Sequence, residues 1–291
     1  MEYYRPQLTH AARPLTFNVQ ARDENGCIRD IPIAGEYPLT LYVDKREILT
    51  LMTLGAAPEA LVIGYLRNQR LVESLSEIVS VQVDWKVNAC SVITKNGLKN
   101  LDEKMQKRTK TTGCGEGTVF GDLMAEIDTL ALPADVQLSQ STLYDLLDQV
   151  RLHESIYKQA GAVHGCALAR NGETGAEILN FVEDVGRHNA VDAIAGWMWL
   201  EDVDGSDKIF YTTGRLTSEM VIKAAQMGIP FLVSRSGLTQ MGYDIAQRVG
   251  MTMIGRAVNT HYLLFTGSER FVNSASSQSS APNDHPALCP E

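Results

Sequence analysis

From residue 78 to 87 the chain reads IVSVQVDWKV, with Val79, Val81, Val83 and Trp85 alternating against Ser80, Gln82 and Asp84. A period of two predicts a strand with one buried face. ACSVIT at 89–94 predicts its hairpin partner, and LTFNV (15–19) and PLTLYVD (38–44) predict two further strands bounded by Gly and Pro. The period changes at APEALVIGYLRNQRLVES (57–74), which predicts the first helix. Pro58 suits its first turn, where a missing N–H costs little. Residues 95–118 are rich in Lys, Gly and Thr with few apolar anchors, the composition of a connector.

Apolar periodicity returns at STLYDLLDQVRLHESIYKQ (141–159), which predicts one helix with Leu143, Leu146, Leu147 and Val150 on its buried face. GAVHGCALA (161–169) and AEILNFVED (176–184) predict strands joined by a hairpin at Asn171-Gly172. Thereafter helices at 187–200, 218–227 and 238–249 alternate with strands at 208–213, 230–235 and 251–255. Thr217 or Ser218 is placed to cap the second of these helices. Strand–helix–strand spacing of this kind predicts a parallel sheet with helices packed on its faces. The division that follows is a β-rich N-terminal domain with one helix (1–94), a mobile connector (95–136), an α/β domain (137–271) and a disordered Ser- and Pro-rich tail (272–291).

Composition narrows the function. The chain has 291 residues, 44% of them hydrophobic, enough for one large or two modest cores. Net charge is −9, which argues against a non-specific nucleic-acid binder but leaves room for a local basic site. There is no secretory pattern at the N-terminus and no apolar run of membrane-spanning length, so the expectation is a cytoplasmic protein. The five cysteines are odd in number, widely spaced and without a C-x-x-C pair. Neither a disulfide framework nor a usual zinc site is expected.

Candidate chemistry gathers at loops. TTGRLTS (212–218), SRSGLTQ (234–240) and GRAVNTH (255–261) each follow a sheet strand, where open α/β sheets bind ligands. Arg215, Arg235, Arg256 and the helix starts beside them can hold phosphates; ordinary turns with solvated arginines explain the same residues. EDVGRHNAVD (183–192) offers His188 at a site edge, or else Asp184 as a helix cap with Arg187 paired to Glu183 or Asp192. His164, in VHGC, begins like a deaminase H-x-E motif, but Cys166 stands where the glutamate would be and no P-C-x-x-C follows. It reads as a core or pocket-wall histidine, and Cys166 as a buried thiol. Cys114 lies between glycines in TTGCGEG after Lys107, Arg108 and Lys110. Basic neighbours favour the reactive thiolate and Gly113, Gly115 and Gly117 let a loop swing. A thiol that visits two partners fits; so does a chance surface cysteine.

In order and spacing, EYPLTLYVD, LGAAPEALVIGYLRNQRLVES, GCGEG, AVHGCALARNG, EDVGRHNAVD, GRLTSEMVIKAA and MTMIGRA resemble the FdhD/NarQ family. The likeness runs from about residue 12 to 266. It implies an α/β (α+β overall) chain, with a C-terminal cytidine-deaminase-like three-layer domain beside the smaller β-rich one. It further implies a homodimeric sulfurtransferase-type carrier that needs no metal of its own. Sulfur from a cysteine desulfurase would be held as a Cys114 persulfide and passed to the molybdenum of the bis(molybdopterin guanine dinucleotide) cofactor of formate dehydrogenase. By the same resemblance Arg256, Ala257, Val258, Asn259, Thr260 and His261 would bind that cofactor. Arg215 and His188 would assist, and a guanine nucleotide would serve as a partial mimic. Gly117 departs from the second loop cysteine of many members. That leaves a cofactor-binding chaperone without sulfur chemistry as the alternative.

Overall fold

The computed structural model describes residues 4–98, 109–110, 117–118 and 127–273. Cys114, most of the connector and nearly all of the tail lie outside the described residues.

The first lobe contains β1 (Gln7–Leu8), β2 (Thr16–Arg22), β3 (Ile28–Ala34), β4 (Tyr37–Val43), β5 (Arg46–Thr53), α1 (Pro58–Asn68), β6 (Ile78–Asp84) and β7 (Ala89–Thr94). Five strands form a sheet in the order β1-β6-β7-β4-β5, while β2 and β3 make a separate ribbon. Strand β5 was not among the elements the sequence pattern predicts. Asp44 and Lys45, both at positive φ, form the turn into it, a mirror-image hairpin turn usually marked by Asn-Gly. The Asp44 carboxylate accepts the N–H and hydroxyl of Thr94, tying this unusual pair to the neighbouring strand. In β6 the alternation holds from Val81 onward, but the register slips between Ile78 and Ser80. Val79 therefore faces out and Ser80 in.

Short strands β8 (Thr109–Lys110) and β9 (Gly117–Thr118) pair antiparallel and bracket residues 111–116. The second lobe then runs β10 (Leu138–Ser139), α2 (Gln140–Leu152), α3 (Ile156–Ala160), β11 (His164–Gly172), β12 (Gly175–Asp184), α4 (Arg187–Leu200), β13 (Lys208–Thr212), α5 (Ser218–Gln226), β14 (Phe231–Ser234), α6 (Gln240–Arg248), β15 (Thr252–Val258), β16 (His261–Thr266) and β17 (Phe271–Val272). Its sheet has the order β12-β11-β13-β14-β15-β16. The expected parallel core is β13, β14 and β15; β11, β12 and β16 are antiparallel, so the sheet is mixed. One face packs on α4, α5 and α6 through Phe210, Leu232, Val191, Ile222 and Ile245. The other packs on α2 through Leu143, Leu146, Ile209 and Val233.

Three local expectations need correction. The first helix, expected over 57–74, ends at Asn68, where the chain turns at Gln69 and Arg70, the latter at positive φ. The helix expected over 141–159 breaks after Leu152. Ser155 restarts it by accepting the N–H of Lys158, and the Glu183 carboxylate takes the N–H groups of Ile156 and Tyr157. A carboxylate at free helix N–H groups is favourable, so tertiary contact overrides the helical run. The β11–β12 hairpin turns at Glu173-Thr174, with Gly172 and Gly175 as its closing pair, two residues later than Asn-Gly suggested.

The lobes meet where α1 crosses α4. A methyl group on Gly64 would lie 1.7 Å from the Asp192 carbonyl oxygen, and one on Gly196 would lie 1.9 Å from that of Ala60. The two helix backbones touch, and any side chain at either glycine forces them apart. Beside this contact Arg67 donates to the Ala195 carbonyl and stacks on Trp199. Gly64→Ala or Gly196→Ala is expected to destabilise by about 1–3 kcal/mol or more through overpacking. Gly237→Ala, with open space around it, should stay within about 0.5 kcal/mol of the parent. Thermal unfolding of the three variants checks the contrast; equal melting temperatures would refute a tight crossing.

Candidate functional site

Beyond the carboxyl ends of β13, β14 and β15 lies a cavity of about 300 Å³. That volume suits a small-molecule ligand. Arg235, which follows β14, lines it beside Ala257, Val258 and Asn259 from the adjacent strand β15. Arg151, Tyr157 and Lys158 of α2 and α3 close another side, and Phe181 forms the floor. The Phe181 ring stacks on His153 at 4.2 Å between centroids and lies against Gly165, where an added Cβ would come within 3.0 Å of it. Only glycine lets the ring sit there. Three cations around aromatic and aliphatic walls suit a flat, anionic ligand.

A second cavity, of about 360 Å³, lies between the lobes and is lined by Leu15, Leu54, Ala57, His153, Val182 and Trp197 among others. The two share Ser155, Phe181 and Glu183. Glu183 thus holds α3 in place from the boundary between them.

The segment 256–261 is not a loop. Strand β15 runs through Val258, turns at Asn259-Thr260 and returns as β16 from His261. Arg256 and Asn259 have positive φ, and the register shifts between Gly255 and Val258. This bulge re-aims the chain so that Ala257, Val258 and Asn259 reach the cavity. Arg256, Thr260 and His261 are exposed and outside its lining, as is Arg215. Tyr157 and Lys158 escaped the sequence pattern because a continuous helix over 141–159 hid the break that aims α3 at the cavity. Ser155 three residues before Lys158 was the available signal.

EDVGRHNAVD is chiefly a lock between the lobes. Asp184 accepts the Thr53 hydroxyl at 2.5 Å and the Leu54 N–H at 3.0 Å on one oxygen. Its other oxygen takes the Gly186 N–H and the Asn189 amide, and Asn189 also donates to the Met52 carbonyl. The end of β5 is thereby pinned to the start of α4. Asp192 does not pair with Arg187; it accepts from Asn68 of α1 at 2.6 Å and from Lys223 of α5 at 2.9 Å, all buried. Nor does Glu183 pair with Arg187, since its carboxylate is engaged at α3. Burial holds Asp184, Asp192 and Glu219 above the usual carboxylate range.

His188 is not at a pocket edge. It is 3% exposed, with Nδ1 3.6 Å from Glu219 Oε1. Burial, then the charges of Lys223 and Arg187, take it from an ordinary 6.5 to about 2, so it is neutral. His164 is half-buried and lowered by burial and then by Arg187 and Arg215. Burial pushes the Cys166 and Cys90 thiols up to about 12, which makes both inert as nucleophiles. Cys27 is exposed on the turn of the β2–β3 ribbon. Among the described residues no helix is long and apolar enough to cross a membrane.

Fold and cavity together define a two-lobed α+β protein with a cationic, ligand-sized site at a sheet edge. Residues 34–272 match the FdhD/NarQ family model, and the chain belongs to that family. It is 28% identical over 235 residues to the sulfur carrier protein FdhD of Wolinella succinogenes, spanning 81% of this chain and 80% of that one. The protein of the same name from Sulfurisphaera tokodaii is 29% identical over 256 residues, spanning 86% and 96%. A crystal structure described as a formate dehydrogenase accessory protein, from Desulfotalea psychrophila, is similar with a TM-score of 0.71 at 27% identity. It is matched along 100% of its length and covers 89% of this chain.

The His188 shift has a definite sign. Its folded value, about 2, lies below its ordinary 6.5, so the unfolded chain takes the proton first as pH falls. The stability this group contributes is complete above pH 6.5 and is lost as pH drops toward 2, by about 1.4 kcal/mol per pH unit. His188→Asn should remove one proton's worth of that slope in urea unfolding between pH 6.5 and 4.5. An unchanged slope would show that His188 is protonated in the fold.

Proposed function

We propose that this protein is a sulfur carrier for formate dehydrogenase, working through a persulfide on Cys114. What supports the reading is the set of relatives named sulfur carrier protein FdhD, matched over most of their length. The chain's own features agree with that role. Cys114 is flanked by glycines and preceded by Lys107, Arg108 and Lys110, and basic neighbours favour the reactive thiolate. The buried Cys90 and Cys166 offer no competing nucleophile.

The Cys114 thiolate attacks the outer sulfur of a cysteine desulfurase persulfide. The donor's S–S bond breaks, its cysteine leaves as thiolate, and Cys114 carries the sulfane sulfur. No net oxidation occurs in this exchange. The terminal sulfur would then pass to the molybdenum of a bis(molybdopterin guanine dinucleotide) substrate: the Cys114 S–S bond breaks, Cys114 leaves as thiolate, and the reduced metal of the substrate supplies the two electrons that take the sulfane sulfur to the sulfide level. A guanine nucleotide half of that substrate suits the cavity beside Arg235, with Tyr157, Tyr211 and Phe181 against the base and Arg151, Lys158 and Arg235 on the phosphates. Asn259 offers an amide to the same ligand, and the exposed Arg256, Thr260 and His261 flank its entrance. A second copy of the chain completes the expected assembly in the cytoplasm.

Gly117, standing where many members have a second cysteine, favours one other reading: a chaperone that binds and docks the cofactor without touching its sulfur. Intact-mass measurement after incubation with a desulfurase and cysteine separates the two. The carrier gains the mass of one sulfur atom, and Cys114→Ser gains none while keeping its fold and guanine nucleotide binding. Wild type without an adduct, or a serine variant that still activates formate dehydrogenase, would overturn the carrier reading. Separately, Arg235→Gln should weaken GDP binding about tenfold, the value of one charge-assisted hydrogen bond, and leave Cys114 loading unchanged. Titration calorimetry on the intact chain reads this directly.

A further inference from the structure

The cavity between the lobes runs along a strand that the fold leaves open. Asn180, Phe181, Val182 and Glu183 of β12 all line it. Successive strand residues point to opposite faces of a sheet, and here Phe181 packs toward α2 while Val182 packs toward α4. A cavity that all four residues reach therefore lies along the edge of the strand and not on either face. That edge is free. Strand β12 is outermost in the six-stranded sheet, and β11 takes its inner side. Among the described residues nothing hydrogen-bonds the outer backbone groups of residues 180–182.

Free edges are usually blunted by a charge, a proline or a bulge. Residues 178–182 read ILNFV, with neither charge nor proline. The bulge of β12 comes at Leu179, before the stretch in question. Pairing with β11 steps from Ala169–Ile178 to Leu168–Asn180 and then stays in register as far as Asp184. Residues 180–183 are thus a regular piece of ladder with one side unused, about 14 Å long at the rise of a strand.

The walls decide what fits. Ala60 of α1 and Ala193 and Trp197 of α4 form an apolar wall on one side of the sheet plane. His153, Glu154, Ser155 and Gln159, from the end of α2 through α3, form a polar wall on the other. A strand added in that plane continues the alternation, with every second side chain on the apolar wall and those between on the polar one. Among the described residues no lysine or arginine lines the cavity, and its ionisable groups are His153, Glu154 and Glu183. The Glu183 carboxylate is already bonded to α3, so the exposed Glu154 is the charge that an occupant meets.

We propose that this groove takes an extended segment of a partner protein, of alternating apolar and basic residues, as an added strand on β12. Backbone bonds to residues 180–183 hold the segment, its apolar side chains meet Ala193 and Trp197, and its basic side chain meets Glu154. An acidic segment sets like charges against Glu154 and Glu183. The inference stands without the sulfur-carrier reading, and its failure would leave that reading intact.

Amide NMR on the full chain tests it with three acetylated and amidated pentapeptides. They are Val-Lys-Val-Lys-Val, Val-Glu-Val-Glu-Val, and the first of these with every backbone nitrogen methylated. The lysine peptide is expected to shift the amides of residues 180–183 saturably and to slow their hydrogen exchange. The glutamate and methylated peptides should each bind about tenfold more weakly. Glu154→Gln should weaken the lysine peptide about threefold, the value of one exposed ion pair, and strengthen the glutamate peptide. Equal binding of the methylated peptide would make the cavity a plain apolar pocket. Edge amides already protected in the peptide-free chain would mean that a second copy, or another part of this chain, fills the edge. Either result, or no response of residues 180–183 to any peptide, overturns the proposal.

Discussion

Contact between the α1 and α4 backbones at Gly64 and Gly196 is the constraint on which the two-lobed arrangement rests. Helices approach this closely only where no side chain intervenes, and here each glycine faces the other helix's carbonyl oxygen. The approach brings polar groups of both lobes within reach of each other. Asn68 of α1, Asp192 of α4 and Lys223 of α5 form a buried run of hydrogen bonds through three helices. A buried ion pair is a poor source of net stability, but breaking it by removing one partner is costly. The run therefore acts as a register for the crossing more than as glue. Asp184 and Asn189 repeat the device at the start of α4 by pinning the end of β5.

Fixing α4 against the first lobe sets the geometry of the sheet edge. Arg187 and His188 occupy its first turn, so their positions follow from the crossing. Glu183 precedes the lock and reaches the other way to orient α3, which presents Tyr157 and Lys158 to the cavity. One short stretch of chain thus joins the lobes and holds a wall of the cavity. It is a mechanical element first, which explains its density of polar residues without assigning each a chemical role.

Periodicity and punctuation made most of the elements legible. The helices at 187–200, 218–227 and 238–249 and the strands between them are strongly patterned and present in the fold with boundaries moved by a few residues, while the helix expected over 57–74 stops at Asn68. Strand β3 was missed although Asn25-Gly26 stands in the turn before it; β5 and β16 were missed for a reason of their own. Each follows a tight turn, Asp44-Lys45 or Asn259-Thr260, that contains a non-glycine residue at positive φ and lacks the usual glycine. Part of the site was legible too: Arg235 and the segment 257–259 at a strand end. Tyr157 and Lys158 were not, because the helix break that aims them depends on Glu183, far away in sequence.

By itself the sequence determined the alternation of strands and helices, the acidic overall balance and the isolation of Cys114 among glycines. These are properties of neighbouring residues, set by local period, charge and backbone freedom. Tertiary structure alone decided that His188 is buried and neutral, that Asp192 pairs with Lys223 and not with Arg187, and that Arg235 lines the cavity while Arg215 and Arg256 do not. Those outcomes depend on which groups meet across the fold and on how far water is excluded where they meet, and neither quantity is written in the order of residues.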